Sequence, residues 1–190
     1  MIEHERKILL SKDEYSYLLK KFGQDKPIIK QINYYFDTND LAMNNQNITC
    51  RIRLKDGKYQ GTIKQHFPET DHSTETEIDI RNGVYDNTFT DMGLILQGEL
   101  VTERCVILKN PNIEVVLDKN VYLGHTDYEL EIEYLPNYIY DINTTLQKIT
   151  NILVDHHFSI SLKEIMLRCK NAQSKCKRFF ERKKINDFNS

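Results

Sequence analysis

The stretch Tyr128-Glu129-Leu130-Glu131-Ile132-Glu133-Tyr134 alternates a carboxylate with a large apolar or aromatic side chain at every step. Successive side chains of a β-strand point to opposite faces, so this period of two predicts a strand with three glutamates on one face. Outward from it the alternation recurs. Residues 50–55 set Arg51, Arg53 and Lys55 against Cys50, Ile52 and Leu54, and residues 74–81 set Glu75, Glu77 and Asp79 against Thr76, Ile78 and Ile80. Glu3, Glu5 and Lys7 share a face near the N-terminus. Period-two segments at 2–9, 31–37, 49–55, 58–66, 74–81, 100–108, 113–118 and 127–134 predict a mainly antiparallel set of strands, some separated by turn signals such as Asp56-Gly57 and Asn110-Pro111-Asn112.

Helices are fewer. Ser11-Lys12-Asp13-Glu14 has the spacing of a capping box and Gly23 follows the apolar positions, which predicts a helix over 12–22. Ile142, Leu146, Ile149 and Leu153 form a helical stripe that predicts a second helix over 142–156. Ser161-Leu162-Lys163-Glu164 is another capping box, Ser174 caps a last basic helix carrying Phe179 and Phe180, and a short helix is expected near 85–96.

The composition is that of one folded domain spanning residues 1–190, with 39% hydrophobic residues and only 7 Gly and 4 Pro. Lys and Arg total 26 against 28 Asp and Glu, a net charge of −2 that argues against a general nucleic-acid binder. The basic tail, with Lys177, Arg178, Arg182, Lys183 and Lys184, is expected to be a solvated helix. No apolar run reaches the ~20 residues of a membrane span, and the charged Met1–Lys7 start is unlike a signal peptide, so a cytoplasmic protein is expected. Cys50, Cys105, Cys169 and Cys176 contain no Cys-x-x-Cys pair and are expected to be reduced thiols.

The charges are sorted by sign. Acidic groups sit on 3–5, 75–79 and 129–133 and basic groups on 51–55, with Lys64 and Arg104 as additions, whereas an ordinary solvated face mixes signs because like neighbours repel. If about eight such strands close into a barrel with helices packed outside on the apolar faces, the charged faces point inward around a space for one small ligand. Carboxylates there suit Mg²⁺ or Mn²⁺, and guanidinium and ammonium groups suit phosphate oxygens. Together they describe a site for a metal-bound polyphosphate.

Glu3-His4-Glu5-Arg6-Lys7 fits a Glu-x-Glu-x-Lys signature, and it is followed in order by Asn33–Thr38, Cys50-Arg51-Ile52-Arg53, Gly61-Thr62-Ile63-Lys64, Glu75-Thr76-Glu77, Asp118 and Glu129–Glu133. With Ser174-Lys175-Cys176-Lys177-Arg178-Phe179, this resembles the CYTH domain, or triphosphate tunnel metalloenzyme, superfamily in its bacterial, Firmicute-type branch. The resemblance implies an eight-stranded antiparallel tunnel and a divalent-cation-dependent triphosphatase acting on inorganic tripolyphosphate or thiamine triphosphate. An adenylate cyclase making cyclic AMP and a non-catalytic polyphosphate or nucleotide binder remain the alternatives. It further implies metal ligation by Glu3, Glu5, Asp118, Glu129, Glu131 and Glu133. Phosphate contacts would come from Lys7, Arg51, Arg53, Lys64, Arg104 and Lys175, with Glu75 and Glu77 orienting the basic groups and Lys163 competing for the C-terminal lysine role. Glu3, Glu5, Lys7, Arg51, Arg53 and Lys64 would carry the catalysis. The partner implied is a small-molecule triphosphate, with no nucleic acid or membrane, in a monomer or homodimer.

Overall fold

The computed structural model describes residues 2–67, 70, 72–156 and 158–188, with the side chains of 2, 3 and 139–141 outside the described set. Eight strands form: β1 (Ile2–Leu10), β2 (Ile28–Asp37), β3 (Ile48–Lys55), β4 (Lys58–His66), β5 (His72–Asp79), β6 (Ile95–Lys109), β7 (Ile113–Tyr122) and β8 (His125–Tyr134). They close into a barrel in the order β1-β5-β4-β3-β2-β6-β7-β8, every neighbour antiparallel. Every strand so has a neighbour on each side, although β1 meets β5 only over Ile2–His4 against His72–Thr74.

The turns obey local backbone chemistry. Asp56 and Gly57 both have positive φ (50° and 73°) and Lys55 pairs with Lys58, the two-residue hairpin whose twist matches its strands. Leu123 and Gly124, at 46° and 70°, repeat the device between β7 and β8.

Among the described residues five α-helices accompany the barrel: α1 (Lys12–Phe22), α2 (Ala42–Asn45), α3 (Ile139–Asp155), α4 (Leu162–Asn171) and α5 (Lys175–Phe188). Ser11 closes the capping box of α1: its hydroxyl accepts from Glu14 N at 3.1 Å and its own N–H donates to the Glu14 carboxylate at 2.7 Å. Glu14 also accepts from Arg168 of α4, tying two helices together. The outward faces of β1, β7 and β8 meet α1, α3 and α4 in a core built on Ile8, Leu18, Leu117, Leu130, Ile132, Ile142, Leu146, Leu153 and Ile165. Each such side chain stabilises the fold by roughly 1.5–3 kcal/mol on burial.

The region expected to be helical near 85–96 is not a helix. Gly83–Tyr85 makes one 3₁₀ turn and β6 starts at Ile95. The carboxylate of Asp86 takes the N–H groups of Arg81, Asn82 and Thr88 and so commits them to a turn. Phe89 and Leu94 then pack on Phe36, Cys50 and Ile52, giving this side of the barrel its cover.

Helix α5 behaves differently from the others. Phe179 and Phe180 pack against Tyr35, Leu100 and Tyr122, and the register places Tyr35 opposite Arg51 and Leu100 opposite Asn33, on the lumen side of β2 and β6. The helix therefore lies over one end of the barrel. Gly98, at φ 145°, lets this happen, since a Cβ there would meet Phe179 Cζ at 2.9 Å.

Candidate functional site

Strand parity delivers the charged residues to the lumen from every side. In register, Asp118 sits between Arg104 and Glu129, Lys7 faces Glu131, Glu5 faces Glu133, Lys64 lies between Thr49 and Glu75, and Arg53 faces Asn33. These pairs build two opposed regions.

The acidic region is Asp118, Glu129 and Glu131, all buried, with one oxygen from each lying within 4.8 Å of the others. Basic groups crowd it. Arg104 forms a two-pronged pair with Asp118 at 2.9 and 2.7 Å and reaches Glu131 at 2.5 Å. Lys175, the first residue of α5, lies 3.0 Å from Asp118 and 2.8 Å from Glu131 and contacts Glu129. Lys7 touches Glu5 at 3.0 Å and Glu131 at 3.3 Å. Burial pushes the Glu131 carboxyl upward, but Lys175, Lys7 and Arg104 overcome it and hold the group well below the ordinary carboxylate range. In Glu129 burial wins over Lys175, and its carboxyl is raised.

The basic region is Arg51, Arg53 and Lys64. Arg51 lies 3.7 Å from Glu75, and its buried Nε has no hydrogen-bond partner among the described residues. Arg53 donates to the neutral Asn33 at 2.9 Å, and among the described residues no carboxylate comes within ion-pairing distance of it. Burial, then repulsion from Arg51 and Arg104, push its guanidinium down to about 9, still charged at neutral pH. Lys64 lies 3.7 Å from Glu5 and 4.0 Å from Glu75. Glu5 bridges the two regions: burial raises its carboxyl, yet Lys7 and Lys64 pull it to about 2.

Glu77, Glu133 and Lys163 fall further out. Glu77 is exposed at the far mouth, lining a cavity of about 690 Å³ with Arg53, Lys55 and Lys58. Glu133 is 46% exposed and lies 3.7 Å from Arg104. Glu3 stands on β1 opposite Ser73, its side chain outside the described residues. Lys163 is exposed on α4, so Lys175 is the C-terminal lysine that reaches the lumen.

Two further residues reach the lumen for which the sequence motifs imply no site role. Arg178, three positions after Lys175 on α5, is not part of a solvated tail: it is 8% exposed and bonds Asp127 at 2.8 Å, Glu129 at 2.6 Å and the Gln173 carbonyl at 2.6 Å. His66 shares the face of Thr62 and Lys64 on β4, and its ring meets Thr49 Oγ1 at 3.3 Å. Burial, then Lys64, push the imidazole down to about 4. With Glu5, Lys7, Thr49 and Ser174, His66 lines a cavity of about 1040 Å³ at the end where α5 lies. The spacing from Lys175 and the parity from Lys64 are the signals that point to these two.

Oxygen-only donors, closely spaced and buried, are the set that a hard divalent cation takes, so Asp118, Glu129 and Glu131 fit such an ion. Among the described residues no helix is long and apolar enough to cross a membrane.

Comparison with known proteins agrees with this geometry. The family model described as CYTH domain matches residues 1–134. YjbK of Bacillus subtilis (strain 168), named as a candidate triphosphatase, is 32% identical over 148 residues, covering 70% of this chain and 77% of its own. A crystal structure from Bacillus halodurans, titled as a candidate adenylate cyclase, superposes with a TM-score of 0.66 at 26% identity over 94% of this chain and 97% of that one. A Hippeastrum protein, titled as a candidate adenylyl cyclase with dominant triphosphatase activity, shares the fold at 18% identity and a TM-score of 0.57, over 86% of this chain and 99% of its own.

Proposed function

The chain belongs to the CYTH domain family, and from that premise we propose that it is a divalent-cation-dependent triphosphatase that holds an inorganic or organic triphosphate across the lumen. The observation that carries this is the crowding of Arg51 and Arg53, part-buried guanidiniums on one face of β3 that repel one another across the barrel from three buried carboxylates. An extended polyanion relieves that repulsion, because charge-assisted and bidentate bonds to phosphate are strongest where water is excluded.

Arg51, Arg53 and Lys64 bind and orient the phosphate chain on one wall. Phosphoryl transfer asks little covalent chemistry of a protein, so positioning and charge neutralisation carry most of the rate. Asp118, Glu129 and Glu131 would hold Mg²⁺ or Mn²⁺, which when bound neutralises developing charge on phosphate oxygens. Glu75 steadies Arg51 and Lys64 from β5. Glu5, held ionised between Lys7 and Lys64, orients a water as a hydrogen-bond acceptor.

The test is incubation with tripolyphosphate, thiamine triphosphate or ATP and Mg²⁺ or Mn²⁺, with separation of the products. Orthophosphate release, lost in Arg53→Gln, is expected. Cyclic AMP with pyrophosphate would instead establish the cyclase alternative, the activity by which the Bacillus halodurans relative is named, and tight binding without turnover would establish a binder.

A further inference from the structure

Lys175 occupies an unusual position for a phosphate-binding group, because it faces carboxylates. Its Nζ lies 3.0 Å from Asp118 Oδ2 and 2.8 Å from Glu131 Oε1 and contacts Glu129 Oε1. These are the three residues whose oxygens converge within 4.8 Å. One ammonium thus bridges the whole donor set that a divalent cation would take. The two cannot occupy it together, since both are cations and each needs the point where those oxygens converge.

We propose that Lys175 is a built-in counter-ion: it holds the cation position of the acidic cluster, and a divalent metal enters by displacing it. This rests on the metal-dependent function proposed above. The ammonium can leave without undocking α5. Arg178 pins the helix to Asp127, Glu129 and the Gln173 carbonyl, and Phe179 and Phe180 seat it on Tyr35, Leu100 and Tyr122. A cavity of about 1040 Å³ adjoins this start of α5, lined by Gln173 and Ser174 together with Glu5 and Lys7. A lysine suits the part better than an arginine: its charge is compact, hydrated and carried on a flexible stem. Arg104, by contrast, is locked to Asp118 by two parallel bonds. Displacement turns Lys175 from a partner of carboxylates into a partner for phosphate, so metal and substrate would each favour the arrangement the other needs.

The experiment is titration of metal-free protein with Mn²⁺, following the free-ion electron paramagnetic resonance signal without substrate. Lys175→Met keeps the stem and removes the charge, and it should tighten Mn²⁺ binding at least tenfold over wild type. Lys7→Met is the control: it removes the same charge from a lysine that touches only Glu131 of the three, and should tighten binding several-fold less. If Lys175→Met does not fold, Lys175→Gln carries the same expectation. Unchanged affinity in the Lys175 variant, or equal tightening by Lys7→Met, overturns the competition while leaving metal dependence intact. Absence of saturable Mn²⁺ binding in all of the folded proteins overturns both.

Discussion

Replacing Arg178 with methionine tests whether α5 is held over the barrel end by charge as well as by aromatic packing. The guanidinium bonds Asp127 at 2.8 and 3.2 Å, Glu129 at 2.6 Å and the Gln173 carbonyl at 2.6 Å. Methionine keeps the apolar stem, so the change isolates the charged head. Removing one partner from a buried pair costs about 3–5 kcal/mol, because the other charge stays desolvated. The structure points to the lower end, since Asp127 keeps bonds from Asn120 at 2.9 Å and Tyr122 at 2.7 Å, and Glu129 keeps Lys175. At about 3 kcal/mol and 2–4 °C per kcal/mol for a chain of this size, the melting temperature should fall by roughly 6–12 °C. Equilibrium urea unfolding by circular dichroism should show a lower midpoint with an unchanged slope. Combining Arg178→Met with Asp127→Asn should cost less than the sum of the single changes. A loss under ~1 kcal/mol, or full additivity of the pair, would refute the reasoning.

Gly98→Ala should destabilise by about 1–3 kcal/mol, since the new Cβ meets buried Phe179 at 2.9 Å on a backbone with φ 145°; an unchanged urea midpoint would contradict it. Arg53→Gln should abolish tripolyphosphate hydrolysis while leaving thermal stability equal or higher, because it removes an enclosed charge and, with it, the repulsion from Arg51 and Arg104; a large fall in melting temperature would show that Arg53 is structural. His66 should titrate near 4, against 6.5 for an ordinary histidine, so the fold prefers its neutral ring. Its contribution to stability is therefore full above about 6.5 and lost as pH falls from there towards 4. Ring-proton NMR should show tripolyphosphate raising that value by offsetting Lys64, and titration near 6.5 in the free protein would contradict it.

Much of the barrel can be read from the sequence because a lumen-facing strand announces itself every second residue. Arg51 and Arg53, or Glu129 and Glu131, share a face by parity alone. Parity does not reveal who faces whom across the lumen. Arg104 has the charge of a phosphate ligand, yet only the register of β6 on β7 sets it against Asp118. The role of α5 is hidden for a related reason: its basic composition resembles a solvated tail, and Arg178 becomes internal where Phe179 finds the space above Gly98 and the guanidinium meets Asp127 and Glu129. The expected helix near 85–96 failed because Asp86 captures three backbone N–H groups, a local competition that a weak apolar pattern cannot outweigh.

Barrel closure sets the order in which the molecule is able to assemble. The meanders β2-β3-β4-β5 and β6-β7-β8 can form from strands adjacent in the chain, but β1 pairs only with β5 and β8. Both partners lie far along the sequence, so β1 waits on slow, long-range pairing. It carries Glu5 and Lys7, so the two opposed walls acquire their bridging charges only once that long-range pairing forms. A chain interrupted before β8 would hold the basic wall without its counterweight.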